Sequence, residues 1–226
     1  MNKVVVARNV FDLEKLRECK GSEKVTLFIL NDIHFDEENS FYPINLENTD
    51  VIVYGLTNTL HDLVIEAKYN NYVGLFSNVR NLYVKNLNVK NALVLGNEVC
   101  GILAGHIDEE LSVDGCDISG SIISDAITGG LAGSAGKVNV NKSLICSTIS
   151  GRGCLAGVAG MADSCDMNDS LVNATFKPTQ IVRNGKCLID QYVAYLGTKE
   201  APRVEKMAMD VNDFLEEHNA CKRMLL

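Results

Sequence analysis

Four dipeptides recur down the chain at near-equal intervals: Lys85-Asn86, Asp114-Gly115, Asn141-Lys142 and Asn168-Asp169. Aligned, they set Lys85, Asp114, Asn141 and Asn168 in one row and Asn86, Gly115, Lys142 and Asp169 in the next. Asp114, Lys142 and Asp169 are of the kind that acid–base cleavage of a glycosidic bond uses, where two carboxylates stand at a set separation. Asn, Asp and Gly also tolerate left-handed backbone that bulkier residues resist. These pairs are therefore read as chain corners, and no residue is assigned to catalysis. Asp163, Asp166 and Asp169 lack the turn glycine and loop spacing of a calcium site, so no metal is expected. His34, His61, His106 and His218 show no repeated spacing and receive no role. The cysteines (Cys19, Cys100, Cys116, Cys146, Cys154, Cys165, Cys187 and Cys221) form no Cys-x-x-Cys pair and no zinc-like spacing with histidine. Most read as small apolar core fillers in a reducing compartment, and no cofactor is expected.

What must position these residues is a repeat. Leu82-Tyr83-Val84-Lys85-Asn86-Leu87-Asn88-Val89 aligns with segments beginning at Leu111, Val138 and Cys165, at steps of 29, 27 and 27 residues. A second marker recurs in the same order. It reads Val73-Gly74-Leu75-Phe76-Ser77, Gly101-Ile102-Leu103-Ala104-Gly105, Gly129-Gly130-Leu131-Ala132-Gly133 and Gly153-Cys154-Leu155-Ala156-Gly157, at steps of 28, 28 and 24. Two markers sharing nearly one period identify a solenoid. Within a repeat the apolar residues skip one, two and one, as in Leu82, Val84, Leu87 and Val89. That spacing gives strand, two-residue corner, strand. Ser143 and Ser170 break the pattern, standing where Leu87 does. A rise of about 4.8 Å per coil stacks equivalent residues above each other. The glycines let a coil bend or lie close to its neighbour, and none sits where a phosphate-cradling loop would.

Three segments follow. Residues 1–50 read as an N-terminal cap of strand, helix and strand. Asn9 caps the helix, whose apolar positions are Phe11, Leu13, Leu16 and Cys19. Such a cap hides the end of a stacked core. Residues 51–176 are the repeats. Residues 177–226 read as a hairpin around Asn184-Gly185 and a helix opened by Pro202, with Val204, Met207, Val211, Phe214 and Leu215 near one face. This segment closes the other end or forms a homodimer surface.

Composition agrees with thin, regular layers. Hydrophobic residues make up 46% of the chain, yet aromatics are only 6% and tryptophan is absent. Net charge is -8, and it is uneven. Residues 91–176 carry Glu98, Asp108, Glu109, Glu110, Asp114, Asp117, Asp125, Asp163, Asp166 and Asp169 against only Lys137, Lys142 and Arg152. Such a surface argues against direct binding of nucleic acid or an anionic membrane.

The glycine-marked coils, such as Gly129-Gly130-Leu131-Ala132-Gly133, and the strands between them, such as Asn86-Leu87-Asn88-Val89, resemble the GLUG-type repeats of bacterial and phage β-helix proteins over residues 73–176. The resemblance implies an all-β, right-handed parallel β-helix and carries no catalytic motif. Many of those relatives are exported. This chain shows no apolar signal segment near Met1 and no stretch of membrane-span length, so a soluble cytoplasmic protein is expected. The function expected is that of a non-enzymatic binding protein. Asp108, Glu109, Glu110, Asp114, Asp117 and Asp125 would engage a basic protein surface by charge complementarity. Charge and resemblance together suggest a phage-encoded inhibitor of a nucleic-acid-binding defence complex. Two alternatives stand beside it: a carbohydrate-active β-helix lyase or hydrolase, and a structural module of a larger assembly. Fold by itself transfers no activity.

Overall fold

The apolar rows of the sequence stack into one continuous core. In the computed structural model, which describes residues 1–36, 40–178, 188–190, 193–196 and 203–204, the chain winds as a parallel β-solenoid of about 6 turns. It opens with β1 (Asn2–Ala7), a helix α1 (Val10–Glu14) that tightens into a 3-10 turn (Lys15–Cys19), then β2 (Lys24–Ile29) and β3 (Ile33–His34). The next coil has β4 (Ile44–Tyr54), β5 (Thr59–His61), β6 (Val64–Glu66) and β7 (Tyr72–Val73). Three-stranded coils follow: β8 (Phe76–Lys85), β9 (Asn88–Leu95) and β10 (Val99–Cys100); β11 (Ala104–Asp114), β12 (Asp117–Ile123) and β13 (Ile127–Gly129); β14 (Ala132–Asn141), β15 (Leu144–Gly151) and β16 (Cys154–Ala156); β17 (Ala159–Asn168), β18 (Leu171–Pro178) and β19 (Leu188–Asp190). Last come β20 (Val193–Leu196) and β21 (Arg203–Val204). The first face is β1-β2-β4-β8-β11-β14-β17-β20, with β21 also on β17. The second is β3-β5-β9-β12-β15-β18, with β6 also on β9. The short third is β7-β10-β13-β16-β19.

Register follows the sequence repeat. Leu82 lies beside Leu111, Leu111 beside Val138 and Val138 beside Cys165. All four are buried, because alternate side chains of a strand point inward. The corners also fall where expected. Asn86, Gly115, Lys142 and Asp169 have φ of 50, 64, 46 and 46°. Ser143 and Ser170 fit once hydrogen bonds are traced. The Cys116 N–H donates to Ser143 Oγ at 3.0 Å, and the Ser143 N–H donates to Ser170 Oγ at 3.1 Å. Each hydroxyl donates back to its own corner, to the carbonyls of Asn141 and Asn168. Cys116 Sγ takes the same place one coil earlier, accepting from the Leu87 N–H at 3.4 Å.

The glycine marker needs one correction. Gly129 pairs with Ala156, and Ala132 pairs with Ala159. The last copy of the marker is therefore Ala156-Gly157-Val158-Ala159-Gly160, not the segment from Gly153 to Gly157. Its Leu155-Ala156 imitates Leu131-Ala132, which produced the short step of 24. A Cβ on Gly133 would lie 2.7 Å from the Cys100 backbone N and 2.8 Å from the Gly105 carbonyl oxygen. Close approach of successive coils is what requires glycine there.

At the N-terminal end, β1 and β2 are rungs of the first face itself. The covering role belongs to α1 and the 3-10 turn, which bury Leu13, Leu16 and Cys19. Asn9 caps the helix, its side chain accepting from the Asp12 N–H. Arg17 ties this cover to the next coil by donating to the Pro43 carbonyl at 2.9 Å. The expected hairpin turn at Asn184-Gly185 and the helix residues beyond Val204 lie outside the described residues. The described pieces of that segment, β19, β20 and β21, pair in parallel on the last coil. Cys19, Cys100, Cys116 and Cys165 are buried and in no disulfide, as is the partly exposed Cys154. Burial pushes the Cys100 and Cys116 thiols up to about 12, so neither is a nucleophile at neutral pH. Cys146 is disulfide-bonded, an exception to the reading of most cysteines as core fillers.

Candidate functional site

The first face carries most of the chemistry, and one irregularity in β11 arranges it. Ile107 pairs with Val79 and Ala135, but the next pairs are Glu110 with Asn81 and with Lys137. Two residues of β11, Asp108 and Glu109, thus oppose single residues on both neighbours, Arg80 and Gly136. This is a β-bulge, which re-aims side chains and leaves a residue out of the ladder. Gly136 makes room for it: a Cβ there would meet the Glu109 carbonyl oxygen at 2.4 Å.

Around the bulge, amides from the flanking coils hold the carboxylates. Asn81 Nδ2 donates to Glu109 Oε2 and to Asp50 Oδ1, each at 2.9 Å. Asn81 Oδ1 accepts the Glu110 N–H at 3.0 Å. Glu110 accepts from Asn139 Nδ2 and, at 3.3 Å, from the Tyr83 hydroxyl. Burial, then the Glu110 charge, raises the Tyr83 phenol above its ordinary value. Arg80 is bonded to Asp50 at 2.7 Å. That guanidinium foremost, with the Asn81 amide, holds the Asp50 carboxyl below its usual range. Asp108 faces His106, with Oδ1 3.1 Å from Nε2. His106 Nδ1 is 2.7 Å from Ser134 Oγ.

The six acidic residues expected as one docking strip do not form one. Asp108, Glu109 and Glu110 stand together at the bulge. Asp114 is at the far end of β11, about 13 Å from Glu110 along the extended strand. There it pairs with Lys85 at 3.3 Å and accepts from Asn141 Nδ2 at 2.7 Å. Asp117 opens β12 on the second face. Asp125 lies beyond that strand and pairs with Arg152 at 3.5 Å. Asp114, Lys142 and Asp169, the residues of the kind acid–base cleavage uses, show no contact with one another among the described interactions. Asp114 is tied to both neighbouring coils, while Lys142 and Asp169 serve as left-handed corners. Asp163, Asp166 and Asp169 are strung along β17 and its corner, about 10 Å apart at each step, too far to share one ion. Among the described residues no group of three His, Cys, Asp or Glu is placed to hold a metal.

Several partners escaped sequence reading: Asn81, Tyr83, Asn139, His106 and Ser134. Each touches a residue one coil away, and His106 also meets Asp108 on its own strand. His34 and His61 are likewise one coil apart and stack at 4.4 Å, so the histidines are less scattered than their numbering suggests. Beside the bulge, a groove of about 390 Å³ crosses β11, β14 and β17, lined by Ser112, Asn139, Asn141, Asp166 and Asn168.

Fold and site together define the class: a parallel β-solenoid with a polar, carboxylate-bearing first face. Compared with family models, with characterised proteins and with solved structures, the chain matched nothing. Among the described residues no helix is long and apolar enough to cross a membrane.

Proposed function

We propose that this is a binding protein whose first face, centred on the β11 bulge, docks against a basic protein surface. The observation that carries the reading is how Glu109 and Glu110 are held. Their hydrogen-bond partners Asn81 and Asn139 are neutral and no ion pair among the described residues takes either carboxylate, so both are fixed in place while Arg80, already bonded to Asp50, only partly offsets the Glu109 charge. Pre-placed charge lowers the ordering cost of association and steers encounter. Asp108 and Asp166 extend the same face, whereas Asp114 and Asp125 are already spent in ion pairs with Lys85 and Arg152. The centre of the surface is accordingly Asp108, Glu109 and Glu110. One concrete form is an inhibitor, phage-encoded, that occupies the nucleic-acid-binding surface of a defence complex.

The test is a titration. Basic proteins captured by the chain are purified and bound to wild type and to E109Q/E110Q at low and high salt. Glutamine keeps an oxygen acceptor for each asparagine, so the solenoid persists. Binding should weaken at least tenfold in the double variant and in high salt, and an oligonucleotide should compete. A complex indifferent to both changes would falsify the reading.

A further inference from the structure

His106, Asp108 and Ser134 form a cluster with a chemistry of its own. His106 and Ser134 stand opposite each other on β11 and β14. A carboxylate can only accept, so the contact with Asp108 puts the ring proton on Nε2 and leaves the lone pair on Nδ1. The Ser134 hydroxyl, 2.7 Å away, then donates to Nδ1. Tyr72 stacks on the imidazole at 5.0 Å and 22°, which fixes the ring plane. Ser134 and His106 are both partly exposed. A depression of about 190 Å³ beside them is shared with Met161, Ala162 and Asp163.

We infer that Ser134 is a nucleophile for acyl transfer from small neutral carboxylic esters, with His106 as its general base and Asp108 as a positioning residue. A nucleophile bonded to a base that a third group orients is the arrangement such chemistry requires. Ser134 Oγ bonds to the ester carbonyl carbon as its proton passes to His106 Nδ1. The imidazolium, steadied by Asp108, gives that proton to the departing alkoxide as the C–O bond breaks. Water then repeats the sequence on the acyl-serine and releases the acid. The depression holds an acyl group of a few carbons beside Met161 and Ala162, and the Asp108 carboxylate in its wall disfavours anionic acyl groups. The inference does not depend on the partner-binding proposal, and it departs from the expectation that no residue is catalytic.

The full chain is incubated with a fluorophosphonate and with p-nitrophenyl acetate, and adducts are located by intact mass and peptide mapping. Wild type should give one adduct, at Ser134, and turn over the ester. S134A should give none, and H106Q should react at least tenfold more slowly. In D108N the amide can donate to Nε2, which moves the ring proton onto Nδ1, so labelling should slow and its pH profile change. No adduct, an adduct elsewhere, or H106Q labelling at the wild-type rate overturns the inference. The wild-type result decides by itself, whatever the variants' folding. S134A retains every carboxylate, so its partner binding separates this failure from that of the docking surface.

Discussion

Ser143 shows how one side chain closes a corner of the solenoid. The chain turns between β14 and β15, and a turning backbone has groups that no ladder can satisfy. Ser143 Oγ accepts the buried Cys116 N–H and its own hydroxyl donates a hydrogen bond to the Asn141 carbonyl, at 2.7 Å. Cys116 and Ser170 repeat the device on the coils either side. Ser143→Ala should therefore cost about 1–3 kcal/mol, the penalty for a buried donor left unmade. Cys116→Ser should stay within about 1 kcal/mol, because serine already fills that position two coils running. Urea unfolding of the two variants reads the difference, and equal midpoints would count against the hydrogen-bonded column. The sequence displayed these serines as irregularities. Their purpose was hidden because the partner of each lies on another coil.

At the scale of elements, the strands owe their order to alternation and their closeness to glycine. β11 and β14 present Leu111 with Val138 and Val113 with Val140 to the core, and the period-two pattern announces this locally. The junction of β13 with β14 is different. Gly133 lies against the backbone of Cys100 and Gly105, so any Cβ must push strands apart. Gly133→Ala should lower stability by about 1–3 kcal/mol, as overpacking does. Thermal unfolding followed by circular dichroism measures it, and an unchanged midpoint would mean the coils stand further apart than described. The bulge of β11 left no local mark. Asp108 and Glu109 form an unremarkable pair until Arg80 and Gly136 are set opposite them.

For the molecule as a whole, each coil contacts mainly its neighbours, so stability is close to a sum over coils. Whole coils should then be removable if register is kept. Ala132 and Ala159 hold equivalent places. Deleting residues 133–159 joins Ala132 to Gly160 in phase, and the shortened chain should fold and unfold cooperatively. Deleting 133–158 shifts everything downstream by one residue and turns the apolar row outward. That variant should fail to fold, as judged by circular dichroism and size-exclusion chromatography. If both deletions behave alike, register is not what holds the coils together.

The sequence by itself determined the inward rows, the corners and the period of the repeat. Alternation of apolar residues and residues that accept a left-handed backbone are properties of neighbours along the chain, so Leu82, Leu111, Val138 and Asn86 declare them directly. Only the tertiary structure decided that β1 and β2 are rungs, that the last glycine marker ends at Gly160, and that Cys146 is bonded. It also decided that His106 meets Asp108 and Ser134, and that Asn81 and Asn139 clasp the carboxylates of the bulge. The physical reason is that coil length varies by a residue or two. Which side chain stands above which then depends on every bulge and corner between them, and no local pattern carries that sum.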